Sequence, residues 1–161
     1  MNTKLFSAVL ATLVLLCVFV VSPSRQAAAV GTPAVITAGG AGVFPAGANF
    51  NGVQLAGGTF GVGAQTDGVN AAGDFELQLN GNSLIGLSQW ITITGWITSV
   101  TANADGSVTL NGTGTLDMGD GTAAVGGLAL VANLAPTGMT VTIGGNAIPT
   151  LPRSDGWITS E

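Results

Sequence analysis

The chain has 161 residues, 26 of them glycine, and is 47% hydrophobic with only 7% charged side chains, three basic against eight acidic, and no histidine or tyrosine. A net charge of -5, with Lys4, Arg25 and Arg153 as the only bases, excludes a nucleic-acid binder, which needs clustered cations to neutralise phosphates. The same charge scarcity excludes a coiled coil, and the length suits one domain with enough chain for a core.

The first predicted element is a leader. Lys4 precedes an apolar stretch from Leu5 to Val21, followed by Ser22-Pro23-Ser24 and then Ala27-Ala28-Ala29. This is the three-part layout of a secretory signal peptide, and the small residues Ala27 and Ala29 place cleavage before Val30. Two alternatives use the same residues. The apolar stretch lies at the lower limit of a bilayer span, which would make it an uncleaved anchor. Cys17 could take a lipid, but Leu16 stands before it where a small residue is wanted. Cleavage leaves 132 residues with eight acids, Arg153 as the sole base and a side-chain charge of -7. The mature chain has no cysteine, so disulfides and thiolate chemistry are excluded from it. Export places it outside the cell or at the cell surface, and contact with a membrane is expected only through the leader.

Three segments are predicted: a signal peptide over 1–29, an N-terminal segment or first strand over 30–42, and an antiparallel β domain over 43–161. Within the last, apolar and polar residues alternate with the period of half-buried strands. Phe75, Leu77 and Leu79 share one face and Glu76 and Gln78 the other; Val108, Leu110, Leu116 and Met118 oppose Thr109, Asn111, Thr113, Thr115 and Asp117; Met139, Val141 and Ile143 alternate with Thr140 and Thr142. Strands are predicted over Thr59–Gln65, Asp74–Asn80, Ser83–Ser88, Ile91–Ala102, Ser107–Leu116 and Trp157–Ser160. Reversals are expected at Asp67-Gly68, Asn80-Gly81-Asn82, Asp105-Gly106, Gly119-Asp120-Gly121 and Ala135-Pro136-Thr137-Gly138, where Asn, Asp, Gly and Pro satisfy tight-turn geometry. No long helix follows Val30. The expected fold is all-β, an antiparallel β-sandwich or partly closed β-barrel of about eight or nine strands after an N-terminal signal helix.

The series Gly57-Gly58-Thr59-Phe60-Gly61-Val62, Gly73-Asp74-Phe75-Glu76-Leu77, Ile97-Thr98-Ser99-Val100, Asn111-Gly112-Thr113-Gly114-Thr115 and Met139-Thr140-Val141-Thr142-Ile143-Gly144-Gly145 resembles the small secreted bacterial β-domains related to the post-COAP domain. The likeness rests on the order and spacing of glycines over most of residues 43 to 161. It implies an extracellular all-β module of unassigned activity and transfers no catalytic residue. Where such domains often carry an Asp-His-Gly step, this chain has Asn80-Gly81-Asn82-Ser83.

Candidate chemistry is sparse. With only carboxylates available as acid or base, a glycoside-cleaving pair would have to be Asp74 and Glu76, which share the polar face of an amphipathic strand, where carboxylates normally stand in water. The sequence therefore favours a non-enzymatic protein with no cofactor. Asp105, Asp117 and Asp120 are candidate calcium ligands, yet none sits in a loop with convergent oxygens, and turn chemistry accounts for all three. Thr92/Thr94, Thr113/Thr115 and Thr140/Thr142 are unequally spaced for an ice-binding face, and the β-propensity of threonine explains them.

Trp90 and Trp96 are the candidate ligand-binding residues. On a regular strand they share one face with Thr92 and Thr94, about 20 Å apart by strand rise, while Ile91, Ile93 and Ile97 form the core face. Two exposed indoles would suit stacking on sugar rings. The expectation that the sequence favours is a bulge at Gly95 that reverses parity and buries Trp96, since a large indole is usually mostly buried. With that bulge the sequence points to a structural or interaction role at the cell surface or in the extracellular matrix, through self-association or another surface protein at strand edges. Without it, a carbohydrate-binding module with a polysaccharide as partner is the alternative.

Overall fold

The structure, a computed structural model, describes residues 33–161. The cleavage residues Ala27, Ala29 and Val30, and the signal helix itself, lie outside the described residues.

Nine strands follow in chain order: β1 (Ala34–Val43), β2 (Asn49–Phe50), β3 (Val53–Thr66), β4 (Ala71–Asn82), β5 (Ser88–Ala102), β6 (Val108–Asp117), β7 (Val125–Ala135), β8 (Gly138–Ile143) and β9 (Asn146–Ser160). From β3 to β9 each strand pairs antiparallel with the next. β1 then fits between the two ends of this meander, pairing β9 on one side and β3 on the other. The result is a closed antiparallel barrel of eight strands, with the two-residue β2 outside it. The segment read as a first strand or a linker is thus the strand that closes the barrel.

Eight strands enclose a space that side chains alone can just fill. Here the fill is Ile36, Phe60, Val62, Phe75, Leu77, Leu79, Ile91, Ile93, Ile97, Leu110, Leu130, Leu134, Val141 and Ile143, all buried. The alternation that predicted the strands is the alternation between this interior and the outer wall. Phe44, Ala48 and Phe50, in the connection from β1 to β3, are also buried and join the same cluster. Several inward positions are glycines beside bulky neighbours: a methyl on Gly58 would come within 2.7 Å of Leu79, and one on Gly114 within 3.0 Å of Ile143.

Two local expectations are corrected. Ser83–Leu87 is the reversal between β4 and β5, not a strand, and Asn80-Gly81-Asn82 is the end of β4, not a turn. The Ser83 amide donates to the Leu87 carbonyl, the Gly86 amide to the Ser83 carbonyl, and the Leu87 amide to Ser83 Oγ. Gly86 adopts the positive φ of +80° that this turn requires. Gly81 stays in the ladder, opposite both Leu55 and Gln89.

Closure pairs the eight strands around the whole barrel. Unpaired edge remains at β2, at the start of β7 before Leu130, its first residue paired with β8, and at the end of β5 after Ile97, its last residue paired with β4.

Candidate functional site

With the interior filled, a ligand can reach the barrel ends, one of which carries a depression of about 520 Å³ beside Pro33, Asp67 and Glu161, and the outer wall. That wall is polar at mid-strand: Asp74, Glu76 and Gln78 on β4, Thr94 on β5 and Thr113 on β6 are all exposed. An apolar inside and a polar outside is the reverse of a lipid-embedded barrel.

Trp90 and Trp96 lie on this wall, 63% and 54% exposed. The expected bulge at Gly95 is absent from the pairing with β4, which runs unbroken from Asp74↔Trp96 through Phe75↔Gly95 to Asn80↔Trp90. Parity therefore holds across Gly95, and both indoles emerge on the same side. The irregularity in β5 falls later, between Ile97 and Ser99 in the pairing with β6. Gly95 faces inward, where a side chain would collide with Leu130.

Three shallow depressions follow the outer wall over β3 and β4. One, of about 510 Å³, lies against Trp90 and is bordered by Thr59, Gln78 and Asn80. A second, of about 340 Å³, is bordered by Gly61, Gly63, Asp74, Glu76 and Thr94. A third, also about 340 Å³, lies against Trp96 and is bordered by Thr37, Gln65 and Ala72. The floor is low because Gly61 and Gly63 face outward with open space where a side chain would stand.

A third exposed indole, which sequence reasoning missed, lies further round the barrel. Trp157 on β9 is paired with Gly39 on β1 and is 57% exposed. Its ring lies over Gly39, since a methyl there would approach its ring carbons to 2.9 Å. Gly39 in turn pairs with Gly61, so Trp157 borders the glycine floor on the side away from Trp90 and Trp96. The sequence shows the tryptophan, but its neighbours Gly39 and Gly61 lie 118 and 96 positions earlier in the chain.

Asp74 and Glu76 are brought to this surface together. Glu76 Oε1 accepts a hydrogen bond from Gln78 Nε2 at 2.8 Å. Asp74 stands directly opposite Trp96 in register.

The calcium candidates fall elsewhere and apart. Asp105, in the turn between β5 and β6, accepts from the Ser107 amide at 2.9 Å and from Ser107 Oγ at 2.7 Å. Asp120, in the loop between β6 and β7, accepts from Thr122 Oγ1 at 2.6 Å and from its amide at 2.9 Å, and Asp117 accepts from the Gly119 amide at 2.8 Å. β6 separates Asp105 from the other two by its full length. The hydroxyl and then the amide of the residue two positions on hold the Asp105 and Asp120 carboxyls below the usual carboxylate range. Among the described residues no three acidic side chains converge on a common point. The threonine pairs of β5 and β6 lie side by side, but that of β8 is separated from them by β7.

No family model, curated protein or solved structure matches the chain. The likeness to post-COAP-related domains rests on the sequence alone.

Proposed function

We propose that this is a secreted, non-enzymatic carbohydrate-binding module whose binding face is the outer wall carrying Trp90 and Trp96. The observation that carries the reading is the exposure of Trp90 and Trp96 on one face of β5, beside depressions floored by glycine. An indole held in water loses hydration cost when a sugar ring covers it, and the polar rim of Gln78, Asn80, Thr59 and Thr94 offers donors and acceptors to hydroxyl groups. The rigid strand between the indoles makes this a preorganised surface. Secretion is supported by the leader, and the absence of His, Cys, Lys and Tyr after residue 29 supports a binding role over catalysis.

The test is retention on insoluble polysaccharides together with titration of tryptophan fluorescence by soluble ones. The wild-type protein should be retained by at least one polysaccharide, and Trp96→Ala should lose that retention while staying folded. A wild type that no polysaccharide retains overturns the reading.

A second reading, an interaction role with another protein, is favoured by one observation. The hydrogen-bonded turn between β4 and β5 holds Leu84 88% and Ile85 81% exposed, and side chains of that kind in water are common at protein contacts.

A further inference from the structure

We infer that the tryptophan face selects a glycan bearing primary amines, of the glucosamine type, over N-acetylated, neutral or acidic glycans. The inference rests on the glycan-binding reading and deepens it.

Its basis is the juxtaposition of Trp96 and Asp74. The two are register partners on β5 and β4, and side chains directly opposite on one face of an antiparallel pair have Cβ atoms about 4.5–5.5 Å apart. Asp74 and Glu76 both border the central depression, which shares Gly63 with the depression against Trp96. An ammonium group seated on the indole face is attracted by the ring and, at the same time, by the neighbouring carboxylate. An N-acetyl group has no charge to offer either partner. A uronate or sulfate would meet two carboxylates at close range. The protein has little with which to offset that repulsion, since Arg153 is the only basic residue among residues 33–161, against eight acidic ones. Charge alone would draw an acidic protein weakly to any polycation; the pairing of indole and carboxylate assigns the contact to one place.

Short glucosamine oligosaccharides, their fully N-acetylated counterparts, a neutral glucan oligosaccharide and an oligouronate are titrated into the full mature chain by calorimetry in about 0.15 M salt, where long-range attraction is screened. The amine form should bind about five- to tenfold tighter than the N-acetylated form. Asp74→Asn should remove that preference, bringing the ratio of amine-form to N-acetylated-form affinity close to one. Asp105→Asn, which removes the same charge from a distant turn, should preserve the preference. Equal binding of amine and N-acetylated forms, or equal losses in the two variants, overturns the inference while the glycan-binding reading stands. Failure of every glycan to bind overturns both. Binding of a lysine oligopeptide in the absence of glycan binding also overturns the glycan assignment, placing the ammonium on a protein partner.

Discussion

Leu130 of β7 fills the space that a side chain on Gly95 of β5 would need. The two are not register partners; Gly95 pairs with Gly114 on β6, and Leu130 reaches over that second glycine into the interior. Gly95 is thus a packing residue, and the strand passes through it without changing face. Trp96 is on the outer wall for that reason.

A double-mutant cycle tests this contact. Gly95→Ala should destabilise by about 1–3 kcal/mol through overpacking, and Leu130→Ala by about 2–5 kcal/mol through the cavity it leaves. The methyl of the first occupies part of the space vacated by the second, so the double variant should be more stable than the sum by about 1 kcal/mol or more. Urea denaturation of the four proteins measures the coupling, and strict additivity would show that Leu130 does not occupy the Gly95 site.

The indoles should behave as surface groups. Removing Trp90 or Trp96 by substitution with alanine should cost no more than about 1 kcal/mol, far below the 3–5 kcal/mol of a buried tryptophan. Emission of the wild type should be red-shifted and accessible to acrylamide. A blue-shifted, quencher-resistant component lost specifically in Trp96→Ala would put that ring in the interior.

Acid should weaken the turns. Asp67 accepts from the amides of Asn70 at 2.6 Å and Val69 at 2.8 Å, and from the Asn70 side chain at 3.1 Å. These bonds, the Asn70 amide first, hold its carboxyl below the ordinary range, as Ser107 and Thr122 do for Asp105 and Asp120. A carboxyl lowered on folding contributes stability that is present above its unfolded value, near 3.9, and is lost as pH falls through the folded value. The melting temperature should therefore be flat on this account between about pH 5 and 7 and decline below about pH 4. Asp67→Asn should reduce the acid slope, as followed by thermal denaturation at successive pH values.

Calcium should leave the melting temperature unchanged beyond ordinary ionic screening, because the Asp105 and Asp120 carboxylates are engaged by their own turns at separate places. A saturable stabilisation abolished by Asp120→Ala would identify a metal site in the loop between β6 and β7.

Much of the fold follows from the sequence because strand periodicity is a local property. Successive side chains point to opposite faces, so Phe75, Leu77 and Leu79, or Ile91, Ile93 and Ile97, declare the core face without reference to a partner strand. Asp105-Gly106 and Gly119-Asp120-Gly121 likewise mark reversals through their own backbone preferences. Where those preferences misled, a neighbour decided. Asn80-Gly81 has turn chemistry, yet Gly81 remains in β4, where the carbonyl of Gln54 on β3 leaves no room for a side chain. Ser83–Leu87 has the apolar content of a strand, yet the Ser83 hydroxyl and the positive φ of Gly86 close it into a turn.

The candidate site divides in the same way. Trp90 and Trp96 were legible as a pair because their even spacing along one strand puts them on one face. Whether that face was outside depended on Gly95, and a glycine is locally compatible with either a bulge or a regular strand. The unbroken pairing of Gly95 with Phe75 and Gly114, and the Leu130 side chain packed where a Gly95 side chain would stand, show the regular strand. Trp157 and the glycine floor were out of reach of any local pattern. They meet because β1 inserts between β9 and β3, and closure of a barrel joins strands from opposite ends of the chain by a geometric condition on the whole sheet.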